Sequence, residues 1–259
     1  MNLQNSRLKN FCLALIIPAV ILIIWEFSVS NGWVPNTLIA SPSQVFVDFF
    51  KLLFTGELLS HSFVSLYRLI LGFVIGTLIG ISLGILVGVS KLGEKLISPT
   101  IQLIAPIPVI AWIPLFIIFL GIGDASKIAL ISLAALIIVY INTVQGIRST
   151  DQKLIELADS YKKSRKELIT KILIPSALPQ ILTGMRVALG LSWILLIASE
   201  VIASSSGLGW LIWDSRNFSR PDDMIVGMIA IGILGKLSDM FLVSIEKKLT
   251  KWRKSFKGK

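Results

Sequence analysis

Apolar runs of about 20 residues recur along the whole of this sequence, and that length is what an α-helix needs to cross the hydrocarbon core of a bilayer. They fall at about 11–29, 63–89, 97–120, 127–147, 183–203 and 223–245. Of the 259 residues, 54% are hydrophobic and 15% charged, against about 25% charged in soluble domains. The apolar surplus is too large and too evenly spread for one soluble core. The expected fold is all-α: a single polytopic transmembrane bundle over 1–259, with about six spans, an N-terminal anchor at 11–29, a core over about 60–245 and a basic tail at 246–259.

The formal net charge of +10 invites comparison with nucleic-acid binders, but the distribution of charge favours topology. With the N-terminus in the cytosol, 18 of the 25 Lys and Arg residues lie inside, among them Lys91, Lys95, Arg148, Lys162, Lys163 and Lys247. Five lie outside (Lys51, Arg68, Lys127, Arg216 and Arg220), and Arg186 and Lys236 fall within spans. Retention of cations on the cytosolic side orients membrane proteins, so both termini are expected in the cytosol of a multi-pass cell-membrane protein. The lone Cys12 allows no intrachain disulfide. Arg7 and Lys9 followed by the apolar run from Phe11 resemble a signal peptide, with Ser28 and Ser30 as small residues near its end. The run is longer than a usual signal core, so it reads as a retained first span.

Local patterns refine the bundle. Ser41-Pro42 reads as a helix N-cap followed by proline in the first turn. The stretch Val45–Phe54, too short to span, suits a helix lying along the outer membrane surface. In the second span Gly72, Gly76, Gly80, Gly84 and Gly88 recur every four residues. They share one helix face and form a smooth ridge against which another helix backbone packs closely, in this subunit or in a second copy. Pro99, Pro106, Pro108 and Pro114 interrupt the third span. Broken backbone is tolerated in lipid only where protein or a water-filled cavity covers it, so Pro106, Pro108 and Trp112 are candidate pathway residues. Gly207-Leu208-Gly209-Trp210 and Trp213 read as an interfacial segment outside.

The one long polar stretch, 148–175, falls between spans four and five on the cytosolic side. It reads as two short helices, Gln152–Tyr161 and a second opening at Ser164, where Ser164-Arg165-Lys166-Glu167 has the form of a capping box. Within it stand Glu156-Leu157-Ala158, Lys162 and Ile172-Leu173-Ile174-Pro175. This pattern resembles the EAA loop of binding-protein-dependent ABC importer permeases: Glu-Ala-Ala, three residues, Gly, nine residues, then Ile-x-Leu-Pro. Glu156, Ala158, Ile172 and Pro175 are in register, whereas Lys162 stands where the family has glycine. That glycine allows a turn at positive φ, a conformation lysine adopts at a steric cost. The cap at Ser164 is then a candidate for rebuilding the turn. Further stretches are similar to the sulfonate, nitrate and taurine branch of these permeases: Ser41-Pro42-Ser43, Ser65-Leu66-Tyr67-Arg68, Ile107-Pro108 with Trp112-Ile113-Pro114-Leu115, Gly121-Ile122-Gly123, Asn142-Thr143, Leu182-Thr183-Gly184-Met185-Arg186 and Ser206-Gly207-Leu208-Gly209.

The resemblance implies a translocation-pathway subunit of an ATP-driven importer for a small anion of the sulfonate, nitrate or taurine kind; small heterocyclic solutes use similar permeases. It also implies a pair of permeases, as a homodimer or otherwise, two cytosolic ATP-binding subunits and an external solute-binding protein. Coupling to the ATPase would run through Glu156, Ala158, Lys162, Ser164, Ile172 and Pro175, with Ala158 close against the partner. In keeping with this, the chain has no Gly-x-x-x-x-Gly-Lys-Ser/Thr phosphate loop. It is expected to be no enzyme and to need no cofactor.

Ionisable residues within spans are functional suspects. Arg186, Lys236 and Asp239 read as buried structural charges, Arg186 and Asp239 as a pair. Glu200, near the outer end of span five, reads as a gate or docking residue, its sign being wrong for an anion ligand. His61 reads as a solvated loop histidine, and with no second histidine no metal site is expected. An ion-coupled secondary transporter is the alternative, but it calls for a midplane cluster of charges and two similar halves, neither of which is visible. A membrane enzyme would need a polar catalytic constellation, and a channel leaves the cytosolic helix pair without a role.

Overall fold

The structure, a computed structural model, describes residues 3–252. The side chains of residues 3–12, 14 and 15 lie outside that description, as do Arg253, Lys254, Lys257 and Lys259 of the basic tail. The expectations on Arg7, Lys9 and Cys12 therefore fall outside the described side chains.

The elements in chain order are α1 (Leu3–Ser30), α2 (Pro42–Phe54), α3 (Glu57–Val89), α4 (Lys91–Ile104), a 3-10 turn at Val109–Trp112, α5 (Ile113–Leu120) and α6 (Asp124–Arg148). There follow α7 (Gln152–Ser160), α8 (Arg165–Leu168), a π-helical turn at Ile169–Leu173, α9 (Ile174–Ala203), α10 (Leu208–Asn217) and α11 (Pro221–Leu249). No strand occurs among the described residues. Four helical stretches are long and apolar enough to cross a membrane: Glu57–Val89, Asp124–Arg148, Arg165–Ala203 and Pro221–Leu249. The pair Lys91–Ile104 and Val109–Leu120, bent by 88° at its break, makes a fifth if taken as one span. The described apolar part of α1, Ile16–Ser30, is shorter than a spanning helix.

The chain forms two compact units, residues 1–62 with 206–231 and residues 63–205 with 232–259. In the first, the Ser41 hydroxyl accepts from the Gln44 N–H and caps α2, with Pro42 in the first turn, where its missing donor costs nothing. α2 buries Val45 and Leu52 and exposes Phe46, Val47 and Phe54, the two faces of an amphipathic helix. Ser43 donates its backbone N–H (2.9 Å) and its hydroxyl (2.8 Å) to the Glu26 carboxylate, tying α1 to α2. His61 corrects the sequence reading. It lies in α3 rather than in a loop, its Nδ1 accepts the Gly207 N–H at 3.1 Å, and its ring packs on Trp210 with centroids 5.1 Å apart. Gly207, at φ +107°, precedes α10, and His61 satisfies a donor that the helix start leaves open.

In the second unit the glycine ridge of α3 meets α6. A Cβ at Gly72 would stand 2.7 Å from Ile131 Cβ, one at Gly80 2.8 Å from the Leu136 carbonyl oxygen, one at Gly84 2.5 Å from Thr143 Cβ and one at Gly88 2.8 Å from Ile147 Cδ1. A Cβ at Gly76 would collide with the Ser132 carbonyl. The ridge therefore lets two backbones of the same chain touch, the packing that membrane helices use where no hydrophobic effect drives them together. α6 also approaches α9 closely, with Gly184 against Asn142, and Gly146 against Gln180 and Ala177.

The prolines act unequally, which refines the expectation that each breaks the third span. Pro99 lies inside α4, and Pro114 occupies the first turn of α5, a position that requires no donor. Only Pro106 and Pro108 stand in the break between Ile104 and Val109. At the fifth span the helix extends well before residue 183. Pro175 sits in the first turn of α9 and Pro179 inside it. The wider turn at Ile169–Leu173, in which the Ile174 N–H reaches the Ile169 carbonyl, precedes Pro175, whose ring clashes with an ordinary preceding turn.

Candidate functional site

Two constellations stand out in the second unit, at opposite ends of the helices that carry them. The first is the α7–α8 segment joining the C-terminus of α6 to the N-terminus of α9. Asp151 caps α7 by accepting from the Lys153 N–H at 2.9 Å. α7 stops at Tyr161, whose N–H bonds the Leu157 carbonyl, and the Lys163 N–H closes back on the Ala158 carbonyl at 3.0 Å. Lys162 between them takes φ +50°, the left-handed conformation that glycine adopts more cheaply. A capping box follows directly: the Ser164 hydroxyl accepts from the Glu167 N–H, and the Glu167 carboxylate accepts from the Ser164 N–H. Lys171 donates to the same carboxylate at 2.9 Å. The Lys171 and Ser164 hydrogen bonds together hold the Glu167 carboxyl down at about 2.

The segment rests on the bundle through Ile155, Leu168 and Ile169, which pack against Ile147, Leu173, Ala177 and Ile181. Arg165 donates to the Val89 carbonyl at the end of α3 (3.0 Å), and Arg148 pairs with Glu94 of α4 at 2.8 Å. Ile172 and Pro175 are half-buried, while Glu156 and Ser164 are exposed. Ala158 departs from its expected place against a partner: it is 4% exposed and buried within this chain. The exposed apolar face of α7 is made instead by Leu154, Leu157 and Tyr161, which are 42%, 53% and 72% exposed. Their i, i+3, i+7 spacing puts them in one stripe. The EAA-like pattern draws attention to Glu156 and Ala158, and the apolar periodicity at 154, 157 and 161 was the signal for this second face.

The second constellation is a cluster of charge, buried at Arg68 and Glu200 and open at Asp124, whose side chain is 50% exposed. Arg68 of α3 bonds Glu200 of α9 through Nη1 at 2.8 Å and Asp124, at the start of α6, through Nε and Nη2, both at 2.7 Å. Ser65 donates to the Glu200 carboxylate, 2.9 Å from each oxygen, and Arg68 Nη1 reaches Ser204 Oγ at 3.2 Å. Lys127 Nζ bonds the Gly123 and Ala203 carbonyls at 3.0 and 2.6 Å. Two sequence readings change here. Glu200, expected as a gate or docking residue, is fully buried in an ion pair. Arg68, counted among the outside cations, is buried inside the α3 packing face because two carboxylates neutralise it.

Arg186 bonds Asp239 at 3.1 Å and approaches Glu246 at 3.6 Å, with half-exposed side chains. Lys236 is exposed on this chain, where a buried charge was expected. Pro106 and Pro108 are exposed at the break, whereas Trp112 is partly buried against Ile113, Leu130, Ala134 and Leu195. Among the described residues no group of three or more His, Cys, Asp or Glu side chains is arranged to hold a metal ion.

A helical bundle with several helices long and apolar enough to cross a membrane, and a polar segment joining Asp124–Arg148 to α9, is the fold of a multi-pass membrane protein. Residues 76–251 match the family described as the binding-protein-dependent transport system inner membrane component. The chain belongs to that family. It is 41% identical over 244 residues to a protein of Bacillus subtilis named as an aliphatic sulfonates transport permease, SsuC, covering 94% of this chain and 88% of that one. It is 33% identical to the taurine transport system permease TauC of Escherichia coli (90% and 87% covered) and 32% identical to the nitrate import permease NrtB of a Synechocystis strain (88% and 85%). The fold is similar to a chain of the inward-facing methionine ABC transporter MetNI, with a TM-score of 0.62 at 19% identity over 72% of this chain and 93% of that one. It is likewise similar to a chain of an amino acid ABC transporter, with a TM-score of 0.61 at 18% identity over 77% and 98%. The protein is thus the permease subunit of an ABC importer and a multi-pass membrane protein. Its family implies an ATP-binding subunit and a substrate-binding protein as partners.

Proposed function

We propose that this chain forms the translocation pathway for a small sulfonate-, taurine- or nitrate-like anion, and that it works as a pair of identical copies driven by two ATP-binding subunits. It crosses the membrane six times with both termini in the cytosol, and the α7–α8 segment is its coupling element. The names of the relatives support the anion class, and the bias of Lys and Arg supports the orientation.

The observation that carries the coupling role is the stripe of Leu154, Leu157 and Tyr161, large apolar side chains left exposed on a short helix of a polar segment. Apolar area of this kind marks a contact surface, and an aromatic anchor such as Tyr161 is the sort of residue on which interfaces depend. Ala158 and the Ser164–Glu167 box set the helix angle from within, and Glu156 lies on the exposed side next to the stripe. Closure of the ATPase around nucleotide would then push on α6 and α9 through this rigid hairpin.

The test compares Leu157→Asp with Tyr161→Asp in the assembled transporter. Each leaves the permease folded, because its site is exposed, and each lowers both co-purification of the ATP-binding subunit and ATP-dependent taurine uptake into vesicles by tenfold or more. Intact binding and uptake in both variants would remove the coupling role from α7.

A further inference from the structure

The charge cluster at Arg68 lies at the end of α3, α6 and α9 farthest from the α7–α8 segment. It joins three helices through a buried pair, a second carboxylate, two serine hydroxyls and, beside them, an ammonium held by two backbone carbonyls. Two cations, Arg68 and Lys127, stand beside two carboxylates, Asp124 and Glu200. Glu200 is fully buried and Arg68 is 5% exposed, so separating them would strand a carboxylate in a low-dielectric interior. A surface pair exchanges its partner for water at little cost; this one has no such exchange available.

A second observation extends along the same helices. The α3 ridge touches α6 from Gly72 to Gly88, and α6 touches α9 at Gly184 and Gly146, with backbone atoms or Cβ atoms as neighbours at most of these points. Contacts of that kind do not yield by turning a side chain. The three helices are therefore joined by ions at one end and by backbone contact down to the other.

We propose that the Arg68–Glu200–Asp124 cluster is a permanent pin: it holds α3, α6 and α9 as one rigid body through the whole transport cycle, with Arg68 as its positioning residue. The external opening of the pathway is then made by movement of other segments against this body and never by opening of the cluster. This rests on the ATP-driven cycle of the family, and is independent of the coupling stripe and of the solute.

Two measurements on the full transporter in lipid nanodiscs test it. Spin labels at Phe63→Cys on α3 and Ile202→Cys on α9, both exposed sites, are introduced with Cys12→Ala, and their separation is read with and without trapping by ATP and vanadate, trapping being verified by retained ADP. The pin keeps the distance distribution unchanged; a shift of its peak between the two states overturns the proposal. The second measurement exploits the fact that a static buried pair is replaceable by apolar side chains, whereas a pair that opens or exchanges partners needs its charges. Glu200→Met alone, which leaves Arg68 short of a partner, lowers ATP hydrolysis by tenfold or more, and Arg68→Met with Glu200→Met restores it to within about twofold. A double variant that assembles normally yet stays inactive also overturns the proposal.

Discussion

Gly80→Leu should detach α3 from α6, and the size of the effect follows from the geometry. A Cβ at Gly80 would stand 2.8 Å from the Leu136 carbonyl oxygen, with Tyr140 N and Val139 Cβ both at 3.2 Å. The nearest atom is backbone and cannot rotate away. Because the leucine side chain continues beyond Cβ, the helices must separate locally by at least half an ångström. A radial gap of about 0.5–1 Å forfeits a quarter to a half of a van der Waals well. If the ridge supplies contacts equal to one buried leucine, about 40–60 atom pairs at ~0.1–0.2 kcal/mol, the loss comes to about 1–6 kcal/mol, centred near 3. That magnitude matches the upper part of the range for overpacked cores, about 1–3 kcal/mol. Gly80→Ala adds the Cβ alone and regains some helix propensity, up to ~1 kcal/mol, so it should fall well short of the leucine variant. Leu78 is exposed on the same helix, and Leu78→Ala should cost no more than about 0.5 kcal/mol. The assay is the apparent melting temperature of the purified permease in detergent, followed by fluorescence-detected size exclusion. The expected order is a drop of about 5–10 °C for Gly80→Leu, a smaller one for Gly80→Ala and almost none for Leu78→Ala. Equal melting temperatures for Gly80→Leu and Leu78→Ala would refute close backbone packing as the reason for the ridge.

Two further outcomes are expected. In a Cys12→Ala background, cysteines at Lys163 and Ser206 should react with membrane-impermeant maleimide from opposite sides, Lys163→Cys only after the cells are opened; labelling of both in intact cells would rule out the proposed orientation. Lys162→Gly removes a side chain from φ +50° and should raise the melting temperature slightly or leave it unchanged, the strain of a left-handed residue being roughly 1 kcal/mol, with uptake retained; a loss of ATPase binding in this variant would mean that the lysine itself makes the contact.

The linear sequence determined what depends on length, period and composition. Runs of about 20 apolar residues made a helical membrane protein necessary, because such runs leave no other way to satisfy backbone and lipid together. The four-residue recurrence from Gly72 to Gly88 put a smooth stripe on one helix face, and the pattern from Glu156 to Pro175 marked the polar segment that α7 and α8 build. Ser164 and Glu167 are three residues apart, so their capping box was legible as well. What remained hidden lies between residues distant in sequence. That the ridge faces α6 of its own chain required the fold, since the same stripe suits a second copy equally well. The partners of Arg68, 56 and 132 positions away, have no local signature, so a buried hub read as an outside cation and Glu200 as a gate. Ala158 shows the same limit in reverse: a small residue in a motif reads as a close contact, but only the packing of α7 decides which of its faces the chain covers and which, with Leu154, Leu157 and Tyr161, it leaves open. Periodicity specifies that a helix has faces; tertiary packing alone assigns a neighbour to each.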